Sequence, residues 1–321
     1  MAALSEAPRL EVVDLSQLSG RDVAPLFSEE VDEWRRRFAW DFRQSAELLS
    51  RYIQTQSLFG FALRAGGELA GYTYFVCEGR KGLLGDFFVR PEYNYPSNEL
   101  LLLSSAVNSL MRTAGIRRIE SQLMLFRSLS ATLPFREFLK RHDRLFMALD
   151  TAAIARLAPA APMLDVSFVP WSERHSEDIA HLVSAAYKGH VDSEINEQYR
   201  SIPGARHFLT NIIRYPGCGA FTSSCSALAI QRRTGRVCGV CLASMVAPDS
   251  GHITQLCVLP ALRGARLGYE LIRRSLVLLR DAGCTSVSLT VTASNTSAIR
   301  LYESIGFEAK SVFPALVWEG F

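Results

Sequence analysis

Arg263-Gly264-Ala265-Arg266-Leu267-Gly268 is a basic, glycine-containing turn that follows an apolar run ending at Pro260 and precedes a long helical pattern. The first turn of a helix offers unpaired N–H groups and the positive end of the helix dipole, which together hold phosphate. Gly264 and Gly268 let a ligand approach the backbone closely, and Arg263 and Arg266 add charge-assisted donors. The chemistry this turn suits is the grip of a phosphate or pyrophosphate. About 30 residues on, past a strand-like run, Asn295 starts a short helical pattern that carries Tyr302 and stops at Gly306-Phe307. A tyrosine phenol is an acid of pKa ~10 and a candidate proton donor. The plainer role for Tyr302 is packing on the sheet with its hydroxyl at the rim.

Together, these residues resemble the GNAT superfamily of acyl-CoA N-acyltransferases. The family's pyrophosphate loop, (Arg or Gln)-x-x-Gly-x-(Gly or Ala), falls on Arg263 to Gly268, with Arg266 standing where the family prefers glycine. Its later pattern, Asn-x-x-Ala-x-x-x-Tyr followed by Gly-Phe, is met by Asn295, Ala298, Tyr302, Gly306 and Phe307. The resemblance implies acetyl-CoA as co-substrate, no metal, and transfer of the acetyl group to a primary amine of a small molecule. It also implies that the cofactor strand splays from its neighbour, so that Leu256, Cys257 and Val258 offer free backbone groups to the pantetheine arm. Ala265, Leu267, Tyr269, Asn295 and Ala298 would surround the same carrier, and Tyr302 would be the general acid.

For the base, the family places a group near the start of the cofactor strand, which here points to His252, with Gln255 as a water holder instead. A solvated histidine at a strand start is the plainer reading. Acceptor determinants in such enzymes come from the first two helices and their loop. That is YKGHVDSEINEQYRS here, where Asp192, Glu194, Asn196 and Tyr199 would meet a cationic or polyhydroxylated amine; a solvated helix start also accounts for each.

Positioning these groups requires strands and helices in a fixed order, and the chain writes that order twice. FGFALRAGGELAGYTYFVCE and SALAIQRRTGRVCGVCLASMVA both read as hairpins, turning at Gly66-Gly67 and at Thr234-Gly235. The pairs Gly71 and Gly239, Pro91 and Pro260, Gly115 and Gly283 keep one spacing of about 168 residues, the mark of a duplication. A first strand is expected from Arg9 to Leu15, and helices over VDEWRRRFAWDF, AELLSRYIQ and SNELLLLSSAVNSLMRTAG. The first copy's last helix is expected at LPFREFLKRH, without the tyrosine pattern, and its turn EYNYPSNEL lacks the basic glycine loop. Residues 1–155 would be a copy that has lost CoA binding, and 163–321 the working copy, joined through the Ala/Pro-rich 152–163. The implied fold class is α/β (α+β): two tandem domains, each a mixed, mostly antiparallel twisted sheet flanked by helices. That layout is similar to the mycothiol synthase family.

The chain has 321 residues, 48% hydrophobic and 21% charged, which excludes disordered and fibrous classes and suffices for two cores. A net charge of +3 argues against nucleic-acid or membrane partners. No secretory pattern is expected at MAALSEAPR, and the 7 cysteines, mostly in apolar runs, suit a reducing cytoplasm. Cys238-Gly-Val-Cys241 reads as strand core rather than a redox or zinc pair. Gly264-x-x-x-Gly268 is not the dinucleotide pattern G-x-G-x-x-G, which removes an oxidoreductase reading. A non-catalytic acyl-CoA sensor or scaffold would share the loop and make no use of the acid.

Overall fold

Apolar alternation and glycine punctuation become strands and turns in the computed structural model, which describes residues 10–160, 163–215 and 217–321. Arg9 and the rest of the MAALSEAPR stretch, and Ala161 and Pro162 of the linker, lie outside the described residues. The first half runs β1 (Leu10–Asp14), α1 (Gly20–Phe38), α2 (Arg43–Gln54), β2 (Phe59–Ala65), β3 (Glu68–Glu78), β4 (Lys81–Val89), α3 (Pro96–Arg112), β5 (Arg118–Gln122) and β6 (Leu139–Asp150). There follow β7 (Val166–Pro170), α4 (Ser176–Tyr187), α5 (Asp192–Ile195), α6 (Ile202–Arg214), β8 (Ala220–Phe221), β9 (Ala227–Gln231) and β10 (Val237–Ala247). The chain ends with β11 (Ser250–Val258), α7 (Leu267–Asp281), β12 (Ser286–Thr292), α8 (Thr296–Ile305) and β13 (Glu308–Glu319). Gly66 and Gly67 make the β2–β3 turn with φ of 55° and 103°, values that side chains disfavour.

The helix expected at LPFREFLKRH does not form. Phe135 takes a φ of 52° directly after Pro134, which breaks helical backbone, and β6 begins at Leu139. The first half therefore has no counterpart of α8.

Among the described residues one unit takes those within Met1–Arg35, Phe42–His142 and Phe313–Phe321, and the other those within Arg36–Asp41 and Asp143–Val312. These units do not follow the chain-order division at 155 and 163. In the first unit β1 to β5 pair in sequence, and residues 315–319 of β13 run antiparallel to β5. In the second, residues 144–150 of β6 run antiparallel to β12, which is followed by β11, β10, β9 and β7. Each sheet is mixed, mostly antiparallel, and completed by a strand from the distant part of the chain.

Each core forms where an amphipathic helix lies on its sheet. In the first unit α3 buries Leu102, Leu103, Ala106, Val107 and Leu110 against Phe87, Phe126 and Trp318. In the second, α7 buries Leu267, Leu271, Ile272, Leu276 and Leu279 against Cys238, Cys241, Ile253 and Val287, while α4 and α6 cover Val240, Leu242 and Cys257. Each such leucine stabilises the fold by about 1.5–3 kcal/mol. Cys238 and Cys241 are buried free thiols in β10, as the apolar run implied. No described helix is long and apolar enough to cross a membrane.

Candidate active site

β11 and β12 pair in parallel from Ser250↔Ser286 to Ile253↔Leu289, and there the pairing stops although both strands continue. The cause lies on the other side of β11. Leu242 of β10 faces Gln255 and Ala243 faces Ile253, so Thr254 is an extra residue, a bulge that bends its strand away. The Thr254 hydroxyl donates to the Leu242 carbonyl at 3.2 Å and holds the bend. Beyond it, Leu256, Cys257 and Val258 present an edge unpaired with β12, and a cavity of about 750 Å³ opens into the fork.

One end of the cavity is the basic turn. Gly264 and Arg266 both take left-handed backbone, with φ of 82° and 62°. Arg266 thus sits where glycine is the unstrained choice. It is also the N-cap residue of α7 and makes no side-chain cap bond, so it places no side chain of its own on the helix's first-turn N–H groups. A Cβ at Gly268 would meet only Leu301 Cδ2 at 3.7 Å and Val258 Cγ2 at 3.9 Å. Packing does not require glycine there, and the position lines the cavity. Arg263 is tethered by its Nη2, which donates to the Ala186 carbonyl at 2.7 Å, and the Tyr269 hydroxyl donates to the Ala158 carbonyl at 2.9 Å. Leu267 lines the cavity and the core together, whereas Ala265 lies off the lining.

α8 forms another wall, with Leu301 beside Gly268. Asn295 Oδ1 accepts from the Ala298 N–H at 3.3 Å, and Gly306, at φ 109°, ends the helix with its N–H bonded to the Tyr302 carbonyl at 3.1 Å. Asn295, Ala298 and Tyr302 all line the cavity. Burial, followed by the charges of Cys241 and Asp192, pushes the Tyr302 phenol above its ordinary pKa, with Arg144 working against them. The phenol is therefore fully protonated at neutral pH. Burial pushes the Cys257 thiol up to about 12, which removes it as a nucleophile.

His252 is not part of the cavity. It lies in the paired portion of β11, before the fork, with Nδ1 2.9 Å from Ser288 Oγ and the edge of its ring 5.0 Å from Trp40 between centroids. Burial, with a contribution from Arg144, lowers its pKa to about 3. A buried, neutral imidazole held by a serine does not fit the base role expected of it. Of the expected acceptor residues, Asp192 and Tyr199 line the cavity. Glu194 is exposed and off the lining, and Asn196 caps the turn at Glu197–Arg200 by accepting from the Gln198 N–H at 3.0 Å.

Tyr187, His190 and Arg144 line the cavity and went unread in the sequence, while Gln255, read as a water holder, binds two tyrosines. Tyr187 stacks on Tyr199 at 4.3 Å, and Gln255 joins them: its Nε2 donates to the Tyr187 hydroxyl at 2.6 Å and its Oε1 accepts from that of Tyr199 at 3.4 Å. His190 Nδ1 accepts from the Asp192 N–H at 3.1 Å, and its Nε2 is 3.3 Å from Asn295 Nδ2. Tyr187 and His190 adjoin the residues singled out by type, so their neighbourhood was legible. Arg144, from β6, carried no local signal at all.

Residues 193–307 match the family model described as Acetyltransferase (GNAT) family. A mycothiol acetyltransferase of Thermomonospora curvata is 36% identical over 87 residues, which span 27% of this chain and 29% of that relative's length. The fold is that of a GCN5-related N-acetyltransferase from Sphaerobacter thermophilus, at a TM-score of 0.66 and 16% identity over 97% of this chain and 95% of that one. A tandem GNAT protein from the clavulanic acid biosynthesis pathway superposes with a TM-score of 0.57 and 17% identity, over 97% of this chain and 98% of that one.

Proposed function

For a chain that belongs to the GNAT superfamily of acetyltransferases, in tandem layout, we propose that the second unit transfers the acetyl group of acetyl-CoA to a primary amine of a small molecule. The observation that carries this reading is the β11–β12 fork, whose free strand edge runs from the Arg263–Gly268 turn toward Tyr302 inside one cavity.

The residues divide the work. The first-turn N–H groups of α7, with Arg266, suit the pyrophosphate, and Gly268 leaves room for it. The free edge at residues 256–258 suits the amide-bearing arm by strand addition, and an N–H of that edge is a donor for the thioester oxygen as the tetrahedral intermediate forms. The amine nitrogen bonds to the carbonyl carbon, and the carbon–sulfur bond breaks. Tyr302 gives its proton to the leaving thiolate, against a burial that makes the phenol a weaker acid. The proton shed by the amine passes to solvent: the His190 imidazole lines the cavity, but its Nδ1 lone pair is already taken by the Asp192 N–H. Solvent then returns a proton to the Tyr302 phenolate.

The test is calorimetric binding of acetyl-CoA together with thiol release and mass analysis of products over a panel of amines. Saturable binding with acetylated product supports transfer. Binding with no turnover on any amine leaves the sensor reading, and an absence of binding sinks both.

A further inference from the structure

Arg144 lines the end of the cavity next to Tyr302, where both its charge and that of Asp192 act on the phenol. Its side chain is 11% exposed. A guanidinium has five N–H donors, and a buried one is ordinarily satisfied. Here Nη2 donates to Thr290 Oγ1 at 3.0 Å, Nη1 stands 3.8 Å from Asp192 Oδ1, beyond hydrogen-bond length, and Nε is buried without a partner among the described residues. Asp192 holds the Thr292 hydroxyl on Oδ1, while its Oδ2, 3.8 Å from His190 Nδ1, takes no hydrogen bond among the described residues.

An acceptor that is only a cation brings no oxygen to these donors and adds charge beside a guanidinium. An acceptor with an anionic oxygen group meets Nη1, the donor that is neither hydrogen-bonded nor buried, with a charge-assisted bond and leaves Asp192 Oδ2 for its amine. We propose that the amine taken by this cavity also carries a carboxylate or phosphate, which Arg144 reads while the amine lies toward Asp192 and Tyr302. The inference rests on the transferase reading, and it adds Arg144 as the determinant of acceptor choice.

The experiment compares ethanolamine, O-phosphoethanolamine, β-alanine and putrescine, by steady-state kinetics with acetyl-CoA and by calorimetric binding to the CoA-loaded protein. The anionic probes are expected to exceed ethanolamine by about ten-fold or more in kcat/KM and in affinity, as charge-assisted bonds to a guanidinium imply. Preference for β-alanine alone identifies the carboxylate, and for O-phosphoethanolamine alone the phosphate. Arg144→Gln should erase the preference through KM, and Arg144→Lys should keep part of it, because an ammonium retains the charge and loses the fork. A purely structural role for Arg144 would instead lower kcat for every probe alike and would show as a lower melting temperature in both variants. Equal or better use of ethanolamine or putrescine overturns the proposal, as does a preference that survives Arg144→Gln, or no binding of any probe. Failure of the transferase reading is distinct, because it appears as no binding of CoA, or as binding of CoA with no acetylated product from any amine of the panel.

Discussion

β4 and β5 of the first unit part after the parallel pairs Lys81↔Arg118, Gly82↔Ile119 and Leu83↔Glu120, much as β11 and β12 part in the second. An irregularity between Thr73 and Phe75, opposite Gly85-Asp86, matches the bulge at Thr254. What occupies the two forks differs. At Gly85 a Cβ would fall 2.1 Å from Tyr74 Cζ, so a tyrosine ring covers that bulge. Asp86 is hydrogen-bonded to Glu30, which also takes the Tyr72 hydroxyl at 2.8 Å and the Trp34 indole N–H at 3.3 Å. Pro96 removes an N–H from the start of α3, and the Glu99 carboxylate accepts the N–H groups of Arg127 at 3.0 Å and Ser128 at 2.8 Å. The backbone device is the same in both. Glycine and free N–H groups line one fork, while a tyrosine ring and a hydrogen-bonded pair of carboxyl groups lie at the bulge of the other.

The largest effect that would sharpen this contrast is at the tyrosines. Tyr302→Phe should lower kcat about a hundred- to ten-thousand-fold with the KM for acetyl-CoA nearly unchanged. Tyr74→Phe in the first fork should leave kcat alone. Equal turnover of Tyr302→Phe and the parent would remove the acid from the mechanism. Next comes the loop. Gly268→Leu should weaken CoA binding about a hundred-fold, or about 2.7 kcal/mol, by calorimetry, whereas Pro96→Ala should change nothing. If Gly268→Leu bound CoA as the parent does, the second fork would not be the CoA site.

The units should also respond to pH in opposite senses. Burial, then the neighbouring carboxyl, raises Glu30, and burial raises Asp86, so the folded first unit keeps a proton that the unfolded chain releases. Its stability is full at acid pH and falls as pH rises toward the raised value. His252 is lowered from 6.5 to about 3, so the second unit is fully stable above 6.5 and weakens as pH falls toward 3. The slope there is about 1.4 kcal/mol per pH unit. Hydrogen exchange followed separately in each unit checks this, with Glu30→Gln and His252→Gln expected to flatten their own slopes. Protection lost in the same direction in both units would break the contrast. The smallest effect is at Arg266. Arg266→Gly should raise stability by about 1 kcal/mol in thermal melts by relieving left-handed strain, while weakening CoA affinity through the lost guanidinium.

Local chemistry was legible in the residues themselves. The two-glycine turn, the left-handed turn at Gly264, the capped tyrosine helix and the duplicated order all depend on dihedral preferences and on spacings of a few residues, which any chain carries wherever it folds. Three features were decided only by tertiary structure: which strand completes each sheet, the covering of His252 by Trp40, and the arrival of Arg144 beside Asp192. The physical reason is that closing a long loop costs little more than closing a shorter one, so sequence distance does not choose a strand's neighbour. That choice falls to the fit of whole faces, and with it the electrostatics of the acceptor end.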